Sequence, residues 1–364
     1  MKLTVEQKDL SHALAVVNRA ISPNNTLPVL NNILLKAEGK KLFFTSTNLE
    51  IAINYSVEAN VINEGSITIP AKILTNYISL LKSGQVSLEA EEGFTLTVKS
   101  QKEHIKIKGI NSEEFPLIPQ IERKEPFKLP VKTLKEMANQ VAFSASNNLS
   151  RPVLMGILFE VKNGECKMVA TDSYRLSEKK VSLKTEGEVS CIIPSRTVFE
   201  LSKVVDESDD PVFIYTSKNQ VLFEHKTLSL TSRLIEGNFP DYEKIIPKEN
   251  KTKAEVDKEE FALAVKKVSL FVQENNVGIR VQVGSEKVTI FAEENQVGEG
   301  RVEIDAKVEG DSNEITLNAQ FLLDVLSELK ESVVKFEIDG KLSPVTIRSA
   351  GDGGYLHIIM PLRV

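Results

Sequence analysis

The chain has 364 residues, enough for two or three domains of ordinary size. Hydrophobic residues make up 41% and charged residues 26%, as in globular proteins, and no run resembles a membrane-spanning helix of roughly 20 apolar residues. The net charge of −6, taken alone, argues against a nucleic-acid binder, because phosphate contacts need Lys and Arg.

The opening "MKLTVEQKDL" carries no apolar signal region, so a cytoplasmic location is expected. A short strand there leads into a helix with Leu10, Leu14 and Val17 at helical spacing. The alternating "KLFFTSTNLEIAINYSV" reads as strands. "ITIP" is a further strand that runs into a second helix. Pro70 marks its start, where a fixed φ and a missing N–H are tolerated. More strands follow, and the charged, apolar-poor "ERKEPF" (Glu122–Phe127) reads as a linker. The same order then recurs, with a helix carrying Leu134, Met137 and Val141, and with "CIIP" ending at Pro194 before another helix. After a second linker, "PKENKTKAE" (Pro247–Glu255), a third helix of this type carries Phe261, Val265 and Val268.

This recurrence is a threefold repeat. "SITIPAKILTNYISLL", "SCIIPSRTVFELSKVV" and "EITLNAQFLLDVLSEL" align so that Pro70, Pro194 and Asn318 correspond, at a spacing of 124. "PVLNNILLKAEGKKLFFTSTNLEIAI" from Pro28 and "PVLMGILFEVKNGECKMVATDSYRLS" from Pro152 keep that spacing, with a weaker third copy from Val277. "EEFPLIP" and "GNFPDYEKIIP" match as well. Units this long are domains rather than solenoid repeats. The expected fold is α+β: three repeated domains, each with two helices packed on antiparallel sheet. The expected boundaries are 1–123, 124–248 and 249–364.

Catalytic chemistry is hard to find. His12, His104, His225 and His357 lie apart in unrelated contexts and are expected to be solvated or half-buried. Cys166 and Cys191 form no CxxC pair and read as small buried hydrophobes. "GEG" (Gly298–Gly300) and "GDGG" (Gly351–Gly354) read as hairpin turns, and "DESDD" (Asp206–Asp210) as a solvated helix exit. "VATDSYRLSE" (Val169–Glu178) crowds polar groups after a strand. Asp172 could serve as a base and Ser173 as a nucleophile, but nothing local supplies an oxyanion site. The repeat equivalent of Asp172 is Asn48 in the first copy and falls near Glu294 in the third, so Asp172 is expected to be a turn residue. No catalytic residue, metal site or cofactor is expected.

Charge is unevenly placed. The six expected helices hold twelve basic and nine acidic residues, which leaves the rest of the chain strongly acidic. Lys72, Lys82, Arg196 and Lys203 against Glu200, on the second helices of the first two copies, are the clearest part. A weakly positive helical face suits contact with a DNA backbone without tight grip. There is no Trp, so aromatic stacking on single strands is not expected.

The three copies, together with "TLPVLNNILL", "VATDSYRLS", "EGNFPDYEKIIP" and "MPLRV", resemble the bacterial DNA sliding clamp family, the β subunit of replicative DNA polymerase III. The resemblance covers the whole chain. It implies a non-catalytic processivity factor: a head-to-tail homodimer closed into a ring of six modules. Helices would line a hole threaded on duplex DNA, without sequence preference. It further implies one hydrophobic pocket per chain for short clamp-binding peptides of the replicative polymerase, the clamp loader and other proteins. Carried over by motif, the pocket residues are Leu154, Thr171, Ser173, Tyr174, Arg175, Leu176, Pro240, Lys244, Ile245, Pro344, Ile358, Met360, Pro361, Leu362 and Arg363, with cationic groups at its rim. The DNA-facing residues would be Lys72, Asn148, Arg151, Arg196 and Lys203. The dimer seam would set Ile105 and Ile107 against Leu270 and Phe271. The chain departs from the family at Ser173–Tyr174, where Gly-His is common, and at Lys244 and Val364, where Arg and Leu are familiar. The loop "SPNNTLP" also lacks a basic residue sometimes found there. The alternative reading is a monomeric peptide-binding scaffold that does not encircle DNA.

Overall fold

The computed structural model describes residues 1–22, 27–183, 187–272, 278–296, 298–351 and 353–362. In the first copy, β1 (Lys2–Glu6) and α1 (Gln7–Val17) lead into β2 (Asn32–Glu38), β3 (Lys41–Thr47) and β4 (Ile51–Glu58). Then come β5 (Asn60–Asn63), β6 (Gly65–Pro70), α2 (Ala71–Leu80), β7 (Gln85–Glu91), β8 (Thr95–Ser100) and β9 (Glu103–Lys108). The second copy has β10 (Phe127–Pro130), α3 (Val131–Ala142), β11 (Gly156–Lys162), β12 (Glu165–Thr171) and β13 (Arg175–Ser182). It continues with β14 (Val189–Pro194), α4 (Ser195–Val204), β15 (Pro211–Thr216), β16 (Gln220–His225) and β17 (Leu228–Arg233). The third has β18 (Thr252–Asp257), α5 (Lys258–Ser269), β19 (Gly278–Val283), β20 (Lys287–Asn295) and β21 (Gly298–Gly310). It ends with β22 (Asn313–Asn318), α6 (Ala319–Glu328), β23 (Val333–Ile338), β24 (Val345–Ser349) and β25 (Tyr355–Ile359). The expected pair of helices per copy is present.

The chain divides into two compact units, Met1–Leu134 with Phe199–Leu234, and Lys135–Val198 with Ile235–Val364. The first holds a five-stranded sheet, β5-β1-β7-β8-β9, and an eight-stranded sheet, β10-β15-β16-β17-β4-β3-β2-β6. The second holds a twelve-stranded sheet, β14-β11-β12-β13-β25-β24-β23-β18-β21-β20-β19-β22. These units cut across the repeat because the sheets run through its borders. β17 of the second copy pairs with β4 of the first, with Leu230 opposite Ile53. β25 of the third pairs with β13 of the second, with His357 opposite Ser177. Ile53 and Ser177 are equivalent at the repeat spacing, so one joint is built twice in the same register.

The helices are held by the residues their spacing singles out. Leu10, Leu14 and Val17, then Leu134, Met137 and Val141, then Phe261, Val265 and Val268, are all buried. Burying a large apolar side chain contributes about 1.5–3 kcal/mol, more than propensity gives short helices. Pro70 ends β6 and caps α2. In the third copy the equivalent Asn318 is a side-chain cap, accepting from the N–H groups of Gln320 and Phe321. Among the described residues, no helix is long and apolar enough to cross a membrane.

Three expectations need correction. The linkers are shorter than their composition suggests: Phe127 opens β10 and Thr252 opens β18, and both are buried in their sheets. His225 and His357 are buried rather than solvated. Each lies on a strand and finds a local partner: His225 sits 3.2 Å from the Ser208 hydroxyl, and His357 sits 2.8 Å from that of Ser177. Lys82 lies past the end of α2, so the basic helix face is thinner than the sequence count implied. Cys166 is buried and Cys191 half-buried, both unpaired, and burial pushes each thiol up to about 12. Of the two glycine stretches, "GEG" opens β21, while Asp352 of "GDGG" lies outside the described residues.

Candidate functional site

The turn between β12 and β13 is the centre of the site. Asp172 Oδ1 accepts the backbone N–H groups of Tyr174 and Arg175, both at 2.9 Å. Thr171 Oγ1 donates to the Arg175 carbonyl at 2.7 Å and accepts from the Ser173 N–H at 3.1 Å. Ser173 is thereby held at φ +79°, a conformation a non-glycine residue adopts only under such constraint. The first copy repeats every part. Asn48 Oδ1 accepts from Glu50 and Ile51, Thr47 Oγ1 donates to the Ile51 carbonyl, and Leu49 sits at φ +74°. Asp172 is thus a turn-forming side chain with a structural counterpart, as its repeat equivalent led us to expect. In the third copy Glu294 lies within β20.

Arg175 is not the free rim cation that its place in the motif suggested. Its Nε donates to Asp172 Oδ2 at 3.1 Å, Nη1 to Asp324, and Nη2 to the Phe143 carbonyl at 2.8 Å. The guanidinium also lies over the rings of Phe321 and Phe143, at 4.5 and 5.4 Å. With two carboxylates, a carbonyl and two aromatic faces around it, its side chain is only 12% exposed. It joins α6 and the end of α3 to the turn.

Three distant segments meet beside this turn. The Met360 N–H donates to the Tyr174 carbonyl at 2.8 Å, continuing the β13–β25 pairing, and the Leu362 N–H donates to the Thr316 carbonyl at 2.9 Å. Pro344 precedes Val345, whose strand partner is Ile359. Leu176 and Ile358 share one apolar cluster with Leu158, Val169, Tyr242 and Leu356, against which Phe239 and Ile246 pack. Leu154, Thr171, Leu176 and Ile358 are buried. Ser173, Tyr174, Pro240, Lys244 and Ile245 are exposed, and Met360, Pro361 and Leu362 are half-buried. Lys244 pairs with Asp241 at 2.7 Å. Arg363 lies outside the described residues, as do Val364 and residues 23–26 of the first-domain loop.

The other candidate residues fall elsewhere. Lys72 is exposed in the first turn of α2, Arg196 in the first turn of α4, and Lys203 in its last turn, over the Phe199 ring. Asn148 and Arg151 share a turn, in which the Arg151 N–H donates to the Asn148 carbonyl at 3.1 Å. Arg151 Nη1 also reaches Ser173 Oγ at 3.1 Å, so this expected DNA contact stands at the edge of the expected pocket. Ile105 and Ile107 lie on β9, the terminal strand of the five-stranded sheet, where Ile107 is already buried. Leu270 is 76% exposed, while Phe271 packs on Gly300, where a Cβ would come within 2.6 Å of its ring.

Sequence reasoning missed Asp324 and Phe143, which hold Arg175, and the buried pair Tyr242–Glu178. Tyr242 was visible inside "FPDYEKI", but nothing in sequence linked Asp324 to a turn more than a hundred residues earlier. Among the described residues, no cluster of His, Cys, Asp or Glu could hold a metal ion.

Comparison with known proteins places this architecture. Three family models match consecutive stretches: the N-terminal domain of the DNA polymerase III beta subunit over residues 1–119, its central domain over 128–241, and its C-terminal domain over 243–363. A beta sliding clamp of Staphylococcus aureus is 30% identical over 375 residues, covering 100% of this chain and 99% of that one. The crystal structure of the DNA polymerase sliding clamp from Bacillus subtilis superposes with a TM-score of 0.96 at 28% identity, covering 100% of this chain and 99% of its own. That of a Pseudomonas aeruginosa sliding clamp bound to griselimycin gives 0.95 at 26% identity, with 100% of both chains covered. A threefold α+β repeat matched from end to end by all three domain models in order leaves one assignment: the chain belongs to the family of the bacterial DNA polymerase III beta subunit, the beta sliding clamps.

Proposed function

We propose that this chain is a cytoplasmic, non-catalytic DNA sliding clamp. Two copies close head to tail around duplex DNA and tether the replicative polymerase, the clamp loader and other proteins through short peptides. Its three domains divide at 123/124 and 248/249. The observation that carries the ring is the twice-built joint. β17 meets β4 and β25 meets β13 in one register, whereas the equivalent edges, β9 and the first half of β21, have no such partner among the described residues. β21 pairs with β20 along residues 298–305 and with β18 only beyond them. A second copy supplies the missing strand, and pairing satisfies both edges.

Repetition also gives the register of this seam. Leu230 opposite Ile53 and His357 opposite Ser177 translate to Ile105 opposite Gly300, which puts Lys106 opposite Glu299 and Ile107 opposite Gly298. Phe271 already lies against Gly300, so Ile105 would arrive beside its ring, with Leu270 near by. The DNA-facing set is Lys72, Asn148, Arg151, Arg196 and Lys203. These are exposed polar side chains without aromatic readers, suited to sequence-independent backbone contact. The peptide pocket is the apolar floor of Leu154, Leu176 and Ile358 between Tyr174, Ile245 and Met360; a flexible methionine suits varied partners.

Retention on DNA tests the ring. After loading, the protein should stay on nicked circular DNA and leave once that circle is cut. Equal retention on linear and circular DNA refutes encirclement.

A further inference from the structure

We infer that Tyr242 and Glu178 form a latch that positions the Pro240–Ile245 wall of the peptide groove and so sets its affinity. This rests on the groove reading above. Tyr242 is 6% exposed although its neighbours Asp241, Glu243 and Lys244 are all exposed. Its hydroxyl donates to Glu178 Oε2 at 2.5 Å. Glu178, on β13, is 4% exposed, and its Oε1 lies 3.1 Å from Lys180 Nζ. A carboxylate removed from water must be met by donors, and the phenol is one of the few in reach. Burial, then the hydrogen bond to Glu178, holds the phenol well above its usual range, so it remains a donor. Lys167 Nζ closes the arrangement, lying 5.6 Å above the Tyr242 ring and 2.8 Å from Glu160.

The consequence is geometric. With Tyr242 pinned inward, Pro240 on one side and Lys244 and Ile245 on the other are presented outward. The loop enters at Gly237, at φ +132°, where a Cβ would come within 2.7 Å of Val153 in the turn that carries Leu154. The latch therefore fixes the loop against both the floor and β13.

The first copy is an internal control. At the repeat spacing of 124, Tyr242 corresponds to Ile118 and Glu178 to Asn54. There the hydrogen bond is absent, and Ile118 and Asn54, with Pro119 and Leu222, line a cavity of about 220 Å³. Asn54 Oδ1 turns instead to Thr45 Oγ1, at 2.6 Å. The joint between strands forms without the latch, so the latch is not a requirement of the sheet. It belongs to the copy that bears the groove.

The test compares Tyr242→Phe, Glu178→Gln and Met360→Ala in the full-length protein. Binding of a short fluorescein-labelled peptide ending in Leu-Leu is followed by anisotropy, alongside amide exchange over residues 240–246. Tyr242→Phe should weaken binding about tenfold, the loss of one hydrogen bond to a charged group, and speed exchange in that loop. Glu178→Gln keeps an acceptor for the phenol but removes its charge, and should weaken binding by less than Tyr242→Phe does. A merely structural role would lower the melting temperature without moving peptide affinity. If Met360→Ala weakens binding while Tyr242→Phe leaves it unchanged, the latch is refuted. If neither variant weakens binding, the groove itself is refuted, and the latch with it.

Discussion

Acidification should weaken the joint between β13 and β25 through one residue, His357. Its ring is fully buried, with Phe143 stacked at 5.5 Å and Nδ1 2.8 Å from Ser177 Oγ, which Ser144 Oγ also meets at 2.8 Å. Nε2 has no partner. Burial, and then the positive Arg175 near by, hold its pKa below the ordinary 6.5, at about 3. The folded protein thus keeps a neutral imidazole through a range in which the unfolded chain takes up a proton. Where the unfolded state binds more protons, stability rises with pH. The contribution of His357 is therefore intact above about pH 6.5 and is lost as pH falls toward about 3. The slope approaches about 1.4 kcal/mol per pH unit, so acidification from about pH 6.5 to about pH 4.5 costs at most roughly 3 kcal/mol through this group. That is a large share of a typical domain's stability of about 5–15 kcal/mol.

Urea unfolding across this range, for the parent and for His357→Gln, isolates the effect. The amide can keep a hydrogen bond to Ser177 but does not titrate, and every carboxylate is common to both proteins. The parent should lose stability more steeply than the variant as the pH falls below about 6.5. Parallel curves would refute the assignment of the pH dependence to His357.

Two further outcomes follow from the geometry. Lys106→Cys with Glu299→Cys should give a covalent dimer under mild oxidation, because residues directly opposite on antiparallel strands have Cβ atoms about 4.5–5.5 Å apart. Lys106→Cys with Arg301→Cys, offset by two residues, should not, and equal cross-linking of both pairs overturns the register. Arg175→Met should destabilise the second unit by about 3 kcal/mol in urea unfolding, since it leaves the Asp172 and Asp324 carboxylates without their cation. Adding Asp324→Leu should recover part of the loss, and an Arg175→Met protein as stable as the parent contradicts the role given to the guanidinium.

What could be read in sequence and what could not divide along one line. Period, helix faces and the turn at Asp172 are local, and spacing alone exposed them: the Asn48 equivalence carried over to the hydrogen bonds. Contacts made across the chain left no such mark. Asp324 reads as an ordinary charge on a helix, and only the structure brings it to Arg175, which changes Arg175 from a rim cation into a half-buried tie. The histidines failed for a related reason. Polar composition predicts exposure on average, but a strand facing a joint buries whatever residue falls on that face, and His357 falls there by register. Tyr242 lies between these cases: its motif was visible, but its inward direction was not.

Three equivalent joints in one fold have come to carry different chemistry, and the differences bear on closure. The first, Leu230 with Ile53, is apolar and buried. The second, His357 with Ser177, is buried and polar, and is backed by Arg175. Both lie within one chain, so their stability counts toward folding and never needs to be reversed. The third is the proposed seam, and exposed charged and polar residues line both of its edges: Glu103, His104, Lys106 and Lys108 on β9, and Glu299, Arg301 and Glu303 on β21. Charges along an unpaired strand keep it from pairing indiscriminately, while apolar residues between them, Ile105 here, still reward the right partner. A clamp that must open to admit DNA needs one joint of this kind. In the proposed seam the backbone register of the other two joints is kept, and the side chains along it differ.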